Sequence, residues 1–249
     1  MHKILVIGIG AGNPDYLTLQ AVKALNRVDV FFIPDKGAEK SELRALREEI
    51  CARFIEAPDF RTVEFDVPAR RISDTDYTGS VDHWRQQVED VCAALLEREL
   101  QPGQVGGFLV WGDPSLYDGT MRVLDALNGR GIGIEYEVIP GISAPQALAA
   151  RHRVALNRVG EPVLVTTGRR LAAGEGADIP NVVVMLDTAD AHRAGGDAEI
   201  FWGAYLGMPG EVLIAGPLDE TADAIAAARK AGREQHGWIM DTYLLRRRT

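Results

Sequence analysis

Hydrophobic residues in the first half of the chain follow two alternating patterns. The apolar run at residues 3–9 and the mainly apolar segments at 28–33 and 105–111 are typical of strands that are buried on both faces of a sheet. The segments between these runs carry apolar residues with helical spacing. Two further strands, less uniformly apolar, are predicted at 61–67 and 132–141. The predicted helices cover residues 17–25, 41–54, 81–100, 115–128 and 142–152.

This alternation of strands and helices predicts a mostly parallel, twisted sheet with helices on both faces. In the second half the strands follow one another with few long helices between them, which favours a mixed sheet. One strong amphipathic helix is predicted at 218–235, and two glycine-rich segments, 168–180 and 190–199, are predicted as mobile loops. The predicted strands of this half cover residues 162–168, 181–187, 198–205, 210–216 and 237–245.

The fold class predicted from these patterns is α/β with two domains. A chain of 249 residues is long enough for two small domains, and the change of pattern falls near the Pro-Gly pair at 140–141. We therefore predict an N-terminal α/β domain over residues 1–140 and a C-terminal α/β domain over residues 141–249. A ligand cleft is expected between them.

The charge balance of the chain narrows the possible functions. The net charge is −9 and the isoelectric point lies near 5.1, which argues against a general nucleic-acid or membrane-surface binder. No apolar run approaches the roughly 18 residues of a membrane span, and the N-terminus lacks the pattern of a signal peptide. Cys51 and Cys92 have no metal-ligand spacing and are predicted to be free thiols. We therefore expect a cytoplasmic protein.

A glycine-rich segment, GIGAGNPDYLT at residues 8–18, follows the first strand and opens a helix. This context is typical of dinucleotide binding, but the third glycine of G-x-G-x-x-G would fall on Asn13. The segment has no Lys or Arg to hold phosphates, and the carboxylate of Asp15 would repel a pyrophosphate. Two interpretations remain: a tight turn in which Asn13 or Asp15 caps the helix, or a backbone that a small ligand approaches closely.

Two more glycine-bearing turns, WGDP at 111–114 and PGISA at 140–144, also follow predicted strands. Ligands of open α/β sheets bind beyond the carboxyl ends of the strands, so three such turns together favour a small-molecule pocket. Asp113 could cap the helix predicted at 115–128 or face a ligand, and Ser143 could cap its own helix or bind a ligand. For Asp113 taken alone, capping is favoured.

Four motifs in order, GxGxGxPDxLT, WGDPSLY, VIPGISA and VVVML, resemble those of the class III family of S-adenosylmethionine-dependent methyltransferases. Members of this family methylate tetrapyrroles on the way to vitamin B12 and sirohaem. The resemblance covers nearly the whole chain, and the segments DKGAEKSELRALREEI, FWGAYLGMPGEVLIAG and GWIMDTYLLRR narrow it to the aerobic cobalamin pathway. It implies a C-methyltransferase that acts on a ring carbon of an anionic tetrapyrrole and releases acetate.

The resemblance also implies that S-adenosylmethionine is the methyl donor and is held largely by backbone groups. This donor carries no phosphate, which agrees with a glycine-rich pocket that lacks basic residues. The chain departs from the family pattern at Ala11, at Trp111 and in the strand around Met185. The implied cofactor-binding residues are Ala11, Trp111, Gly112, Asp113, Ser143, Ala144, Met185, Leu186, Tyr205, Leu206 and Trp238.

Three residues on the predicted pocket turns are candidates for catalysis. Asp113, Tyr117 and Asp15 could move a proton or stabilise an oxyanion. For each of them a structural role, as a helix cap or a core hydroxyl, is at least as well supported. The histidines show no ligand spacing, so no metal is predicted.

An anionic substrate requires basic residues gathered locally, because the chain as a whole is acidic. Lys36, Lys40 and Arg44 follow the second strand and are predicted to bind the substrate carboxylates. Any one of these charges, taken alone, is more often solvated surface than a binding residue. Other basic residues that could bind an anionic substrate are Arg47, Arg70, Arg71, Arg151, Arg153, Arg158, Arg169 and Arg170.

Other functions remain open at this point. The nearest alternative is another precorrin methyltransferase of the same family, acting at C-11 or C-20, and a more distant relative would modify ribosomal RNA or a protein side chain. From other classes, the chain could be a nucleotide-binding module without catalysis or a NAD-dependent dehydrogenase, although the glycine spacing argues against the dehydrogenase. By analogy with the family, a homodimer is expected.

Overall fold

The computed structural model describes residues 1–35, 41–56, 59–69, 77–188 and 190–248. The chain divides into two compact units. The first consists of Met1–Gly10 and Pro14–Ile142, and the second of Ala11–Asn13 and Ser143–Thr249. Within the described ranges, no helix is long and apolar enough to cross a membrane.

A parallel five-stranded sheet forms the first unit. Its strands are β1 (His2–Gly8), β2 (Val30–Asp35), β3 (Arg61–Asp66), β4 (Val105–Val110) and β5 (Ile134–Ile139). Its helices are α1 (Leu19–Leu25), α2 (Ser41–Phe54), α3 (Tyr77–Glu99) and α4 (Thr120–Gly129). The strands pair in the order β3-β2-β4-β1-β5, and every pair is parallel. The parallel sheet predicted for the first half of the chain is confirmed.

Strand β1 shows why this half of the sequence carries uninterrupted apolar runs. Ile4 and Val6 lie in an apolar cluster on one face of the sheet, together with residues of α3 and α4. Leu5 and Ile7 lie in a second cluster on the other face, together with residues of α1 and α2. Because helices cover both faces, the successive residues from Ile4 to the end of the strand are all buried.

The strand order creates an opening at the carboxyl edge of this sheet. After β2 the chain crosses to β3 on one side, and after β4 it crosses to β5 on the other side. Pairing between β2 and β4 ends at Phe32 and Phe108, although β2 continues to Asp35 and β4 to Val110. Neighbouring strands whose connections leave in opposite directions form the crevice in which open α/β sheets bind ligands.

The second unit contains a mixed sheet. Its strands are β6 (Val163–Thr167), β7 (Asn181–Met185), β8 (Ala198–Ala204), β9 (Val212–Pro217) and β10 (Asp241–Arg247). Its helices are α5 (Ala144–His152), α6 (Gly168–Ala172) and α7 (Leu218–His236). The order is β6-β7-β10-β8-β9, in which β6 and β7 are parallel and the other pairs are antiparallel. The mixed sheet predicted from successive strands is confirmed.

Two segments that were predicted as loops contain short helices. Helix α6 lies within 168–180, and a 3-10 helix spans Ala191–Gly195 within 190–199. The two helices pack against each other. Tertiary packing therefore overrides the low helix propensity of their glycines, which had favoured loops.

Helix α4 begins at Thr120, so the prediction of a helix from residue 115 is wrong. The Oδ1 atom of Asp118 accepts a hydrogen bond from Thr120 N at 2.8 Å, and Tyr117 has a φ of +55°. Short polar side chains that bond to nearby backbone N–H groups favour turns over helix. The loop before α4 is therefore longer than the apolar spacing indicates.

Helix α1 begins at Leu19, with Thr18 as its cap. The Oγ1 atom of Thr18 accepts a hydrogen bond from Ala21 N at 3.0 Å. The predicted caps, Asn13 and Asp15, lie too early, because Pro14–Tyr16 forms a separate 3-10 turn. The prediction that either residue caps this helix is wrong.

Candidate functional site

Three turns lie side by side at the carboxyl edge of the parallel sheet. We call them the edge turns; they are residues 8–10, 111–114 and 140–142, which adjoin the neighbouring strands β1, β4 and β5. Gly8 pairs with Val110 in register, so β1 and β4 end at the same level. Beyond these ends Gly10 N lies 3.2 Å from Gly112 O, and Gly112 N lies 2.8 Å from Gly10 O. The edge turns thus continue the sheet as paired backbone.

Glycines allow the edge turns to pack backbone against backbone. A Cβ atom at Gly8 would lie 2.6 Å from Gly141 N, and one at Gly141 would lie 2.1 Å from Gly112 O. Gly112 has a φ of +70°, a conformation that L side chains rarely adopt. Contact between the turns therefore requires these glycines, independently of any ligand.

Asp113 joins two of the edge turns. Its Oδ2 accepts a hydrogen bond from Gly141 N at 2.8 Å, and its Oδ1 accepts from Ser115 N at 2.8 Å and from the Ser115 hydroxyl. Burial opposes ionisation of Asp113, but these three hydrogen bonds outweigh it and lower the pKa of the carboxyl. The carboxylate is therefore ionised at neutral pH and holds the turns together. Its catalytic role stays a prediction.

Tyr117 and Asp15, the other two catalytic candidates, lie at the surface of the first unit. Tyr117 is 47% exposed and has a φ of +55°. Positive φ costs a residue with a Cβ atom about 1 kcal/mol, so the surrounding turn must hold it there. Asp15 Oδ1 lies 2.6 Å from Arg53 Nη2 in an exposed ion pair. Neither position decides their catalytic roles.

The Trp111 side chain packs against the apolar cluster on the α1 and α2 face of the sheet. Its Nε1 atom is buried and finds no hydrogen-bond acceptor among the described residues. A buried indole N–H without an acceptor is unusual. Trp111 is therefore positioned by packing, with one polar atom left over.

Ala11 and Leu206, two of the predicted cofactor-binding residues, meet within the second unit. The adjoining Gly12 has a φ of +130°, and a Cβ atom there would lie 2.3 Å from Leu206 O. Ala11 and Leu206 are themselves buried. The third glycine of GIGAG thus permits a close approach of the protein's own backbone. The interpretation that a small ligand also approaches this segment stays a prediction.

Ser143 caps helix α5, which is one of the two roles predicted for it, the other being to bind a ligand. Gln146 Oε1 accepts hydrogen bonds from Ser143 N at 2.8 Å and from Ser143 Oγ at 2.9 Å. Pro145 lies in the first turn of the helix, where proline is tolerated. Ser143 is buried, and Ala144 is half-buried as the first residue of α5.

Leu186 and Tyr205 follow β7 and β8, and both have positive φ angles, of +54° and +52°. Leu186 is 60% exposed, whereas Tyr205 is buried. Met185 is the last residue of β7. Non-glycine residues with positive φ often cluster at functional sites. The cofactor-binding roles of Met185, Leu186 and Tyr205 stay predictions.

The Tyr205 side chain is committed to its own unit. Its hydroxyl donates to Trp238 O at 2.6 Å, and the two rings meet edge to face at 5.2 Å. Trp238 Nε1 is buried and has no acceptor among the described residues. Any contact of Tyr205 with a donor molecule would therefore use its backbone.

A buried charge network anchors the turn that contains Leu186. Arg229 of α7 is 1% exposed and lies 3.3 Å from Asp187 Oδ2, 2.8 Å from Asp190 Oδ1 and 3.3 Å from Asp241 Oδ2. Tyr243 donates to Asp187 Oδ2 at 2.9 Å. Three carboxylates thus surround one buried guanidinium. Two of them, Asp187 and Asp190, follow β7, whose last residue, Met185, is a predicted cofactor-binding residue.

Sequence reasoning missed this network, although a signal was present. The buried face of α7 carries Leu218, Ala222 and Ile225 at helical spacing, and Arg229 continues the same face. An arginine at an apolar position of an amphipathic helix indicates a buried charge. Such a charge requires partners.

The structure describes only part of the predicted substrate-binding cluster. Lys36 and Lys40 lie outside the described residues. Arg44 is exposed and forms ion pairs with Glu48 at 2.8 Å and Glu64 at 2.7 Å. The hydrogen bond from Arg44 to Glu48 and the charge of Glu64 raise the pKa of its guanidinium. Its positive charge is therefore largely balanced within the unit.

The edge turns contain no Lys or Arg, and Asp113 is ionised. Such a surface suits a ligand without phosphate groups and tolerates a positive charge. Within the described part of the chain, no group of three or more His, Cys, Asp or Glu residues stands in position to hold a metal ion. Cys51 and Cys92 are free and buried.

Sequence comparison relates the chain to known enzymes. The sequence profile of the Tetrapyrrole (Corrin/Porphyrin) Methylases matches residues 3–222. A precorrin-6A synthase (deacetylating) of Sinorhizobium sp is 51% identical over 250 residues, which cover 99% of this chain and 96% of that protein. The similarity therefore spans both units.

Structural comparison agrees with this relationship. The crystal structure of a cobalamin synthesis related protein, CobF, from Corynebacterium diphtheriae has a TM-score of 0.83 and 37% identity, and covers 99% of both chains. A uroporphyrin-III C-methyltransferase from Thermus thermophilus, solved with S-adenosyl homocysteine, has a TM-score of 0.60 and 17% identity, covering 98% of this chain and 91% of that one. The second likeness concerns the fold alone.

Proposed function

Because the chain belongs to the tetrapyrrole (corrin/porphyrin) methylase family, we propose that it is a C-methyltransferase of aerobic cobalamin biosynthesis. The proposed reaction is the methylation of precorrin-5 at C-1, with release of acetate, to give precorrin-6A. The observation that carries the proposal is the 51% identity to a precorrin-6A synthase (deacetylating) over 99% of this chain. Identity at that level, across both units, goes beyond a shared fold.

S-adenosylmethionine is the methyl donor in this proposal. The edge turns offer backbone groups and one ionised carboxylate, Asp113, and they lack basic side chains. This combination suits a sulfonium ligand without phosphates better than a dinucleotide. The donor residues predicted from the family resemblance remain part of the proposal.

Two local features support those donor residues. The indole Nε1 atoms of Trp111 and Trp238 are buried without a hydrogen-bond acceptor among the described residues. Each indole N–H group can therefore still donate a hydrogen bond to a ligand or a water molecule. Leu186 and Tyr205 hold positive φ angles, which set the direction of their carbonyl groups. A methyl donor that is bound through backbone carbonyl groups requires those groups to point in fixed directions.

The residues of this chain contribute positioning more than acid–base chemistry. When bound, S-adenosylmethionine supplies a methyl group that is already activated for transfer to carbon. The interlocked glycines and Asp113 hold the edge turns rigid before any ligand arrives, so little ordering is required on binding. Because Asp113 is ionised and accepts three hydrogen bonds, it cannot supply a proton at neutral pH.

Release of acetate requires stabilisation of negative charge on the acetyl oxygen when water attacks. Of the three catalytic candidates, Tyr117 carries a hydroxyl group that can donate a hydrogen bond, whereas the side chains of Asp113 and Asp15 are carboxyl groups. Tyr117 is also exposed on the loop that follows an edge turn. We assign the oxyanion contact to Tyr117 within this proposal.

Titration and product analysis test the proposed function. Purified protein is titrated by calorimetry with S-adenosylhomocysteine and, separately, with NAD; we expect binding of the first alone. Incubation with precorrin-5 and S-adenosylmethionine is expected to yield precorrin-6A and one acetate per methyl transferred. NAD binding, or methylation without acetate, would replace the proposal by one of the alternatives named above.

We also propose a cytoplasmic homodimer. The two buried free thiols suit a reducing compartment, and the dimer follows family analogy alone. Light scattering of the purified protein measures the oligomeric state. A monomeric mass across the micromolar range would remove the dimer from the proposal without affecting the proposed reaction.

A further inference from the structure

A second buried arginine, Arg47, lies in the first unit, on helix α2. It is 6% exposed and shares the buried side of the helix with Leu43, Leu46 and Ile50. A fully charged side chain on the apolar side of a helix is costly unless it has a partner. Its guanidinium group therefore requires polar partners.

Two backbone carbonyl groups are the hydrogen-bond partners of Arg47. Its Nε donates to Leu109 O at 3.2 Å, and its Nη1 donates to Leu43 O at 2.8 Å. Among the described residues, no carboxylate forms an ion pair with it. A guanidinium has five N–H donors, so most of the donors of Arg47 remain available.

Burial lowers the pKa of Arg47 to about 10, and the negative charge of Asp118 acts in the opposite direction. The side chain therefore keeps its charge at neutral pH despite its surroundings. Arg229 of the second unit shows the contrast, because three carboxylates surround it. Arg47 is buried to a similar degree without a matching counter-ion.

The position of Arg47 coincides with the opening in the parallel sheet. Pairing between β2 and β4 ends at Phe32 and Phe108, and the guanidinium bonds to the carbonyl of the next residue, Leu109. The edge turn at 111–114 begins two residues further along β4. Arg47 thus lies where strands diverge and where open α/β sheets bind ligands.

We propose that Arg47 binds a carboxylate group of a ligand at this opening and receives from it the counter-ion that the protein does not provide. The inference rests on the proposed function, because the tetrapyrrole substrate and the methyl donor of that reaction both carry carboxylate groups. One source is an acid side chain of the tetrapyrrole, and the other is the amino-acid carboxylate of the methyl donor. A planar guanidinium with free N–H groups suits either one, through two parallel hydrogen bonds.

The assignment differs from the basic cluster that sequence reasoning favoured. Arg44 is one turn earlier on the same helix, but it is exposed and already paired with Glu48 and Glu64. A ligand carboxylate would have to displace those glutamates. At Arg47 it would replace no protein carboxylate.

The test compares Arg47→Met and Arg47→Lys with the wild-type protein. The control is Arg98→Met, because Arg98 is exposed near the end of α3 and pairs with Glu99, before β4 begins. Dissociation constants for S-adenosylhomocysteine are measured by calorimetry, and KM and kcat for precorrin-5 are measured in the coupled reaction. Thermal unfolding of each variant is recorded in parallel.

We expect Arg47→Met to weaken the binding of one ligand at least tenfold. Arg47→Lys should weaken it to an intermediate degree, and Arg98→Met should bind both ligands as the wild-type protein does. A raised KM for precorrin-5 with unchanged affinity for S-adenosylhomocysteine identifies the tetrapyrrole as the source. Weakened binding of S-adenosylhomocysteine identifies the methyl donor as the source of the carboxylate. A purely structural Arg47 would instead lower the unfolding temperature in Arg47→Met and leave both affinities intact in the more conservative Arg47→Lys.

Wild-type affinity for both ligands in both Arg47 variants would overturn the inference. A different result bears on the proposed function: wild-type protein that binds S-adenosylhomocysteine but does not methylate precorrin-5. In that case direct titration with precorrin-5 replaces the KM measurement, and unchanged dissociation constants for both precorrin-5 and S-adenosylhomocysteine in Arg47→Met would exclude the proposed role of Arg47.

Discussion

At the scale of single residues, Asp113 shows how one carboxylate can hold two turns together. Both of its oxygens accept hydrogen bonds, one from the turn that follows β5 and the other from the turn that follows β4. Each bond favours the ionised form, and the pKa of the carboxyl falls despite burial. The same contacts explain why an aspartate, rather than a neutral residue, occupies this turn.

Replacement of Asp113 should therefore affect stability before chemistry. Asp113→Ala leaves Gly141 N and Ser115 N without an acceptor and is expected to lower the free energy of unfolding by about 2 kcal/mol. Asp113→Asn keeps one acceptor oxygen and should lose about half as much. Urea unfolding measures both. An Asp113→Asn protein of wild-type stability with no methyl transfer would instead assign Asp113 a direct catalytic role.

Gly141 tests the contact between the edge turns. In Gly141→Ala the new Cβ would lie 2.1 Å from Gly112 O, and backbone on both sides cannot yield easily. We expect a loss of about 3 kcal/mol or more in the free energy of unfolding, with weaker binding of S-adenosylhomocysteine. The matched control is Gly129→Ala at the end of α4, where a Cβ meets nothing within 4 Å.

The control should leave stability unchanged or raise it by up to about 1 kcal/mol, because alanine favours helix over glycine. Equal behaviour of the two variants in urea would contradict the packing described for the edge turns. It would mean that β1, β4 and β5 tolerate a wider separation at their ends.

At the scale of elements, the network around Arg229 joins α7 to β10 and to the turn after β7. Asp241 begins β10; its Oδ2 accepts a hydrogen bond from Trp202 Nε1 at 2.8 Å and lies 3.3 Å from Arg229 Nε. Burial raises the pKa of Asp241 from 3.8 to about 6, even though Arg229 lowers it. Several carboxylates share one guanidinium, so ionising the last of them is unfavourable.

This raised pKa predicts a pH dependence with a definite sign. Between about pH 4 and pH 6 the folded protein holds a proton on Asp241 that the unfolded chain has released. The contribution of Asp241 to stability is therefore greatest below pH 4 and falls as the pH rises through 6. From the shift, the change amounts to at most about 3 kcal/mol.

Asp241→Asn removes this titration while keeping an acceptor for Trp202 and leaving Asp187 and Asp190 beside Arg229. The stability difference between wild-type and variant protein should therefore shift in favour of the variant from pH 4 to pH 7. Urea unfolding at four pH values measures it. A constant difference over this range would show that Asp241 is already ionised at pH 4.

Sequence patterns predicted most elements of this fold but not all of their ends. Continuous apolar runs identified β1, β2 and β4 because helices cover both faces of their sheet. The start of α4 was missed because the hydrogen bond from Asp118 to the backbone competes with helix, and apolar spacing does not register it. Side-chain hydrogen bonds of this kind depend on local geometry that periodicity does not contain.

Both buried arginines were accessible to sequence reasoning in principle. Arg47 and Arg229 each occupy a position where helical spacing calls for an apolar residue. Their partners were not accessible, because Leu109 and Asp241 are distant in sequence and meet these arginines only through the strand order. An apolar-face arginine therefore signals a buried charge without revealing what balances it.

At the scale of the whole molecule, the strand order β3-β2-β4-β1-β5 determines which turns become neighbours. Three glycine-bearing motifs, far apart in sequence, meet because β4, β1 and β5 are adjacent and parallel. The opening between β2 and β4 follows from the same order. Hydrophobic pattern alone is compatible with several strand orders, so this arrangement could be expected only through family resemblance.

Net charge gives the last prediction. The chain carries a net charge of −9, and the proposed tetrapyrrole substrate is a polyanion, so their long-range interaction is repulsive. The Debye length falls from about 30 Å at 0.01 M salt to about 8 Å at 0.15 M, which screens this repulsion. A buried contact such as that proposed for Arg47 is screened much less.

We therefore expect KM for precorrin-5 to fall as salt is raised from about 0.01 M to about 0.15 M. The affinity for S-adenosylhomocysteine, which has no net charge, should stay nearly constant and serves as the control. The measurement is a series of initial rates at fixed pH and saturating methyl donor. A KM that rises steeply with salt would mean that exposed basic residues near the site attract the substrate more strongly than the rest of the molecule repels it.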